Sequence, residues 1–152
     1  MRRTHSAPDM EKFRSILKSK GLKATPQRLA VHEAMLSMIH ASADMVRDHI
    51  WKKGLSITTA SVYNTLDQLC SIGIYKKLPS NGGKAWYDAF ADTHIHIYDR
   101  KRDEYKNLSD EESASMVTAW FKEHQPKGYR IDDIELRLVC HRSRRTNKTT
   151  SI

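Results

Sequence analysis

A chain of 152 residues with no apolar run long enough to span a bilayer or to act as a secretory core reads as a cytoplasmic protein without a membrane segment. Its two cysteines, Cys70 and Cys140, exclude a disulfide framework and are too few for a four-cysteine zinc site. The formal net charge of +8 and the pI of about 9.6 favour an anionic partner.

Both ends read as flexible tails, residues 1–9 and the basic stretch 142–152, because they carry few apolar groups. A first helix is predicted from Met10 to Lys20, with Asp9 as its cap, Phe13, Ile16 and Leu17 on one face, and Gly21 after its end. Thr25-Pro26 starts a second helix that runs to about Ile39: the threonine hydroxyl accepts an orphan amide, and proline at the first helical position loses no needed donor. Ser42 caps a third, through Val46, Ile50 and Trp51 to near Gly54. Thr58 opens a fourth, with Val62, Leu66 and Leu69 inward and Tyr63, Asn64 and Asp67 outward, and Gly73 stops it.

Two strand-like runs follow, Ile74 to Leu78 and Ala85 to Phe90, joined by Ser80-Asn81-Gly82-Gly83-Lys84 as a basic hairpin tip. Helices followed by such a hairpin make a winged helix. Beyond it, Thr93 to Tyr98 alternates as a strand, with Glu104 to Leu108 as a partner. Ser109-Asp110-Glu111-Glu112 has the capping-box spacing and opens a helix whose Val117, Trp120, Phe121 and His124 share a face. A final strand is expected over Tyr129 to Cys140, with Ile134, Leu136, Leu138 and Cys140 on one side. The fold class is therefore α+β, an N-terminal winged helix-turn-helix domain followed by a small α/β domain.

Charge separates the same two halves. Residues 1–8 and 141–152 hold +6 of the net +8, residues 9–88 carry +5, and residues 89–140 carry −3. A basic first half suits nucleic acid, and an acidic second half suits metal handling or self-association.

Four pieces of sequence, Gly-Leu-Lys-Ala-Thr-Pro-Gln-Arg at 21–28, Ala-Ser-Val-Tyr-Asn-Thr-Leu at 60–66, Gly-Gly-Lys at 82–84 and His-Ile-His at 94–96, occur in one order along the chain. Together they resemble the ferric uptake regulator family of iron-, zinc-, manganese- and peroxide-responsive repressors. The resemblance implies a homodimer with a DNA-binding domain over 10–88 and a dimerisation domain over 89–141. It also implies a divalent metal whose binding sets the angle of two DNA-reading arms on a palindromic operator.

A recognition helix puts residues near its N-terminal end into the major groove, which nominates Thr59, Ser61, Tyr63 and Asn64. Tyr63 matches the family's DNA-facing tyrosine, whereas Asn64 stands where an arginine is common. Asparagine can read adenine through paired hydrogen bonds. Lys23, Arg28 and Lys84 are candidates for phosphate contacts, which add affinity and salt dependence without base information.

His94 and His96 share a strand face with Cα atoms roughly 7 Å apart, within reach of one ion. The resemblance adds His40, just before the third helix, and Asp88, at the end of the wing. The expected cofactor is one Fe(II), Mn(II) or Zn(II) per subunit. The family's last carboxylate position is Asn107 here, a neutral amide. Asp88 leans toward the peroxide-responsive branch, and Asn107 leans away from it.

In place of the family's two Cys-x-x-Cys motifs stand Asp99 with Arg102, and Cys140 with Ser143, so no structural zinc is expected. The second domain is expected to be held by packing around Trp120, Phe121 and its two strands. His5, His32, His49, His124 and His141 read as surface or packing residues.

The rival from another class is a metallohydrolase, on the strength of His94-Ile-His96-Ile-Tyr-Asp99. The spacing is off by one residue, and no phosphate loop or nucleophile elbow is present, so an enzyme is not expected. A nearer alternative is a winged-helix regulator whose metal site is vestigial, constitutive or gated by haem or oxidation.

Overall fold

The computed structural model describes residues 7–80, 82–90, 94–108 and 111–143. Arg2, Arg3, His5, Arg144, Arg145, Lys148, Asn81 at the hairpin tip, Thr93, and Ser109 and Asp110 of the expected capping box lie outside the described residues. The chain divides into two compact units, residues 1–91 and 92–152. Among the described residues no helix is long and apolar enough to cross a membrane.

In the first unit, helix α1 (Met10–Ser19) starts where Asp9 accepts the amide of Lys12 at 2.8 Å, and it buries Phe13 and Leu17. Helix α2 (Pro26–Met38) has Thr25 as its cap, with Oγ1 accepting the Arg28 amide at 3.2 Å. Strand β1 (His40–Ser42) precedes helix α3 (Ala43–Lys52), and Ser42 caps that helix. Helix α4 (Thr59–Ser71) is capped by Thr58 and buries Val62, Thr65, Leu66 and Leu69. Each cap offers an oxygen to an amide the first turn cannot satisfy, a contribution of about 1 kcal/mol apiece.

Strands β2 (Lys76–Leu78) and β3 (Trp86–Asp88) form the wing, shorter than the runs expected from Ile74 and Ala85. Ile74 and Tyr75 instead pack into the helical core. The sheet is antiparallel in the order β1-β3-β2, with His40 opposite Asp88 on one side of β3 and Lys76 opposite it on the other. The sequence reading has no β1, since three residues are too few to show a period.

Two features of this unit fix its ends. His32 is fully buried, its Nδ1 2.6 Å from the Tyr75 hydroxyl and its Nε2 2.6 Å from the Pro8 carbonyl, with its ring stacked on Phe13. Burial holds its pKa below the ordinary imidazole value. Ile39, between α2 and β1, adopts φ +64 and ψ −55 and is held from both sides, its amide donating to Met35 O and its carbonyl accepting from the Ala89 amide.

In the second unit, strand β4 (Ile95–Asp99) lies between strand β5 (Glu104–Asn107), antiparallel, and strand β6 (Leu136–Cys140), parallel. Helix α5 (Glu111–Glu123) joins β5 to β6 in the chain order. The strand expected from Tyr129 begins only at Leu136. Asp133 explains part of the delay, because its carboxylate takes the Ile134 amide at 2.9 Å, a local bond that competes with a sheet ladder.

Packing around Trp120 is a second correction. Its side chain is 55% exposed, stacked on His124 at 4.1 Å and edge-on to Phe121, while the buried residues among those described in the unit are Ile95, His96, Tyr98, Tyr105 and Ala114. One helix and three short strands are too few layers to cover both faces of either element.

Candidate functional site

Within the first unit, antiparallel pairing places His40 and Asp88 side by side. His40 Nε2 lies 3.5 Å from Asp88 Oδ1, and Asp88 is fully buried, also accepting the Phe90 amide at 2.9 Å. Burying a carboxylate is costly unless it is paired or coordinates a cation, so this pair suits a metal chemically.

Within the second unit, His94 and His96 come together with ring centroids 4.2 Å apart. His96 is buried, and the edge of Tyr105 meets it at 5.7 Å. Asn107 is directly opposite His96 on β5, and its Oδ1 is buried with no hydrogen-bond partner among the described residues. An amide oxygen in that state is available to a hard or borderline cation. Each unit thus offers nitrogen and oxygen donors, an imidazole beside a carboxylate in the first and two imidazoles with an amide oxygen in the second, of the kind that suits Fe(II), Mn(II) or Zn(II).

The DNA candidates fall into distinct groups. At the start of α4, Ser61 takes a hydrogen bond from Thr58 Oγ1 at 2.9 Å, and Asn64 is exposed. Tyr63 is only half-exposed because its ring packs partly against the core. Lys23 and Lys84 are exposed, Lys84 with its ammonium 6.0 Å from the Trp86 ring.

Arg28 is less available than its charge suggests. Its Nε and Nη2 donate to Gln68 Oε1 at 3.3 and 2.9 Å and its Nη1 to Lys23 O at 2.7 Å, leaving two of five N–H donors for a phosphate. It ties α2 to α4.

Arg47 is missing from the sequence reading. Its Nη1 donates to Thr59 Oγ1 at 2.7 Å and to Asp44 at 3.2 Å, and its guanidinium lies 4.7 Å over the Trp51 ring. Asp44 at i−3 signals part of this, but nothing in the sequence signals Thr59. Arg47 thus braces the first residue of α4 from α3, and it occupies the Thr59 hydroxyl.

Cys70 is half-buried, and burial first, then the nearby Asp67 carboxylate, pushes its thiol up to about 11. At neutral pH it carries little thiolate, so it makes a poor oxidation sensor.

Where the resemblance loses a cysteine, Asp99 organises the turn between β4 and β5. Its Oδ1 accepts the Lys101 and Arg102 amides at 3.0 and 3.2 Å, and Tyr98 donates to Asp103 at 2.6 Å beside it. The Arg100 amide reaches Cys140 O at 3.1 Å. Asp99→Ala is expected to cost about 1 kcal/mol in urea unfolding of the full chain; an unchanged midpoint would show the turn does not depend on that carboxylate.

Comparison with known proteins bears on these features. A sequence profile described as "Ferric uptake regulator family" matches residues 19–139. The peroxide-responsive repressor PerR of Staphylococcus saprophyticus is 30% identical over 82 residues, 53% of this chain and 55% of that protein. The chain thus spans little more than half the length of this relative. Among solved structures, the ferric uptake regulator of Pseudomonas aeruginosa with manganese superposes with a TM-score of 0.68 at 26% identity, covering 84% of this chain and 96% of that one. The peroxide stress regulator of Campylobacter jejuni gives a TM-score of 0.65 at 26% identity over 85% and 95%.

Proposed function

The chain belongs to the ferric uptake regulator family, and on that premise we propose that it is a metal-dependent, DNA-binding transcriptional repressor that acts as a homodimer on palindromic operators. It is not an enzyme. One divalent ion per subunit, Fe(II), Mn(II) or Zn(II), is held by His40 and Asp88 from the first unit and by His94 and His96 from the second, with Asn107 as an amide ligand. The observation that carries this reading is the buried His40 and Asp88 pair, whose cost is offset when a cation shares it. A bound divalent ion supplies the positive charge that stabilises this carboxylate and orders the side chains around it.

The chain's own residues do the rest. Thr59, Ser61, Tyr63 and Asn64 near the start of α4 face DNA, with Asn64 the best placed to read a base edge because it is exposed. Lys23 and Lys84, with the remaining donors of Arg28, contact phosphates and make binding salt-dependent. On the second unit Met116, Trp120, Tyr129, Leu138 and Val139 are exposed large apolar side chains, which supports a second copy of the chain as their cover.

The test is selection from a random duplex pool by gel shift, run in chelator and then with Fe(II), Mn(II) or Zn(II) without oxygen. A palindrome enriched only with metal is expected. Enrichment that ignores metal would favour the vestigial-site alternative, whose support is the neutral Asn107 where a carboxylate is usual.

A further inference from the structure

Strand β3 contributes more than Asp88. Side chains alternate along a strand, so Tyr87 points to the face opposite Asp88. Its ring is fully buried, and its hydroxyl donates to Asp67 Oδ1 at 2.8 Å. Lys77 on β2 approaches the same oxygen at 3.4 Å, with its ammonium 5.6 Å from the Tyr87 ring.

Asp67 lies on α4 one turn after Tyr63 and Asn64, on their outward face. The helix otherwise packs chiefly on α2 and α3, so the tyrosine hydroxyl reaches across from the sheet to the recognition helix. The other strand bearing a metal candidate is joined to the helix-turn-helix directly: β1 begins with His40 and ends with Ser42, the cap of α3. Each helix is therefore attached to a strand that carries one of the two buried candidates, α3 through the chain and α4 through a side-chain bond.

We infer that Tyr87 and Asp67 are a positioning pair that transmits the state of the metal candidates on β1 and β3 to the recognition helix. This inference rests on the metal-switch reading above. Ordering His40 and Asp88 fixes β3, and β3 fixes the pitch of α4 through the Tyr87 hydroxyl. Tyr87, on the face of β3 opposite Asp88, acts on the site through the strand rather than as a ligand.

The effect expected is the worth of one hydrogen bond expressed as coupling, about three- to tenfold. Full-length wild type, Tyr87→Phe, Asp67→Ala and Asp67→Asn would be compared for binding of Mn(II) or Zn(II) alone, and for binding of the selected duplex with and without metal. Tyr87→Phe and Asp67→Ala should shrink the metal-induced gain in DNA affinity about three- to tenfold with little change in metal affinity off DNA. Asp67→Asn, whose amide oxygen still accepts from the hydroxyl, should restore most of it. By reciprocity the DNA-induced gain in metal affinity should shrink by the same factor.

An equal loss of DNA affinity with and without metal would make the pair merely structural and overturn the inference, as would an undiminished gain in Tyr87→Phe. If Tyr87→Phe fails to fold, Asp67→Ala decides, since it alters an exposed side chain. A wild type without any metal effect would overturn both the switch reading and this inference, whereas a wild-type effect that both variants retain overturns only the inference.

Discussion

Replacing His96 with alanine is expected to weaken Mn(II) or Zn(II) binding by about a hundredfold or more, since even partners one layer out from a metal cost about ten- to a hundredfold when removed. The same change should erase most of the metal dependence of DNA binding. The fold should persist. His96 is in the central strand of its sheet, paired on both sides by backbone bonds that do not depend on its side chain, so alanine there leaves the strand ladder intact. Calorimetric titration and thermal unfolding of one preparation separate the outcomes. Unfolding at ordinary temperature would mean that His96 is a core residue, and unchanged metal affinity would remove it from the ligand set.

Asn107→Asp is expected to move affinity the other way. The amide Oδ1 is buried without a hydrogen-bond partner among the described residues and faces the strand position of His96. A carboxylate there adds a full negative charge to the donor set, which should tighten divalent metal about ten- to a hundredfold after desolvation is deducted from the Coulomb gain. Without metal the same carboxylate is buried and uncompensated, so thermal stability in chelator should fall, and metal should restore it. Competition titration against a chelator of known affinity reads the first effect. Equal metal affinity in the wild type and the Asn107→Asp variant would show that position 107 does not reach the ion.

Much of the first unit is legible in the sequence because its signals are local. Asp9, Thr25, Ser42 and Thr58 announce the helices, and all four are found as caps. Val62, Leu66 and Leu69 recur at helical spacing and are buried as that spacing requires. His94 and His96 are legible as a pair for the same reason, one strand period apart.

What the sequence hides is contact between distant residues. Gln68 receives Arg28 from forty residues away, and Asp67 receives Tyr87 from twenty away, with no periodicity to mark either. The three residues of β1 are too short to show alternation, so His40 enters the reading only through family resemblance. The second unit is less legible because its burial does not alternate: in β4 both Ile95 and His96 are buried, as befits a central strand. Trp120 is misread for a related reason. A hydrophobic stripe on α5 marks a face that needs covering, but not whether the same chain supplies the cover.

The parallel pairing of β6 with β4 has a consequence for how the protein is made. Ile95 finds Leu136, and Asp99 finds Cys140, so the central strand gains its second neighbour only after the helix and the segment following it have been synthesised. Parallel pairing across such a span closes slowly, because loop entropy is lost before contacts reward it. The first unit, with its neighbouring helices packed on one another, can collapse while the ribosome is still translating the second. During that interval β4 presents an open edge to its surroundings, which makes aggregation, rather than misreading of DNA, the hazard of its synthesis.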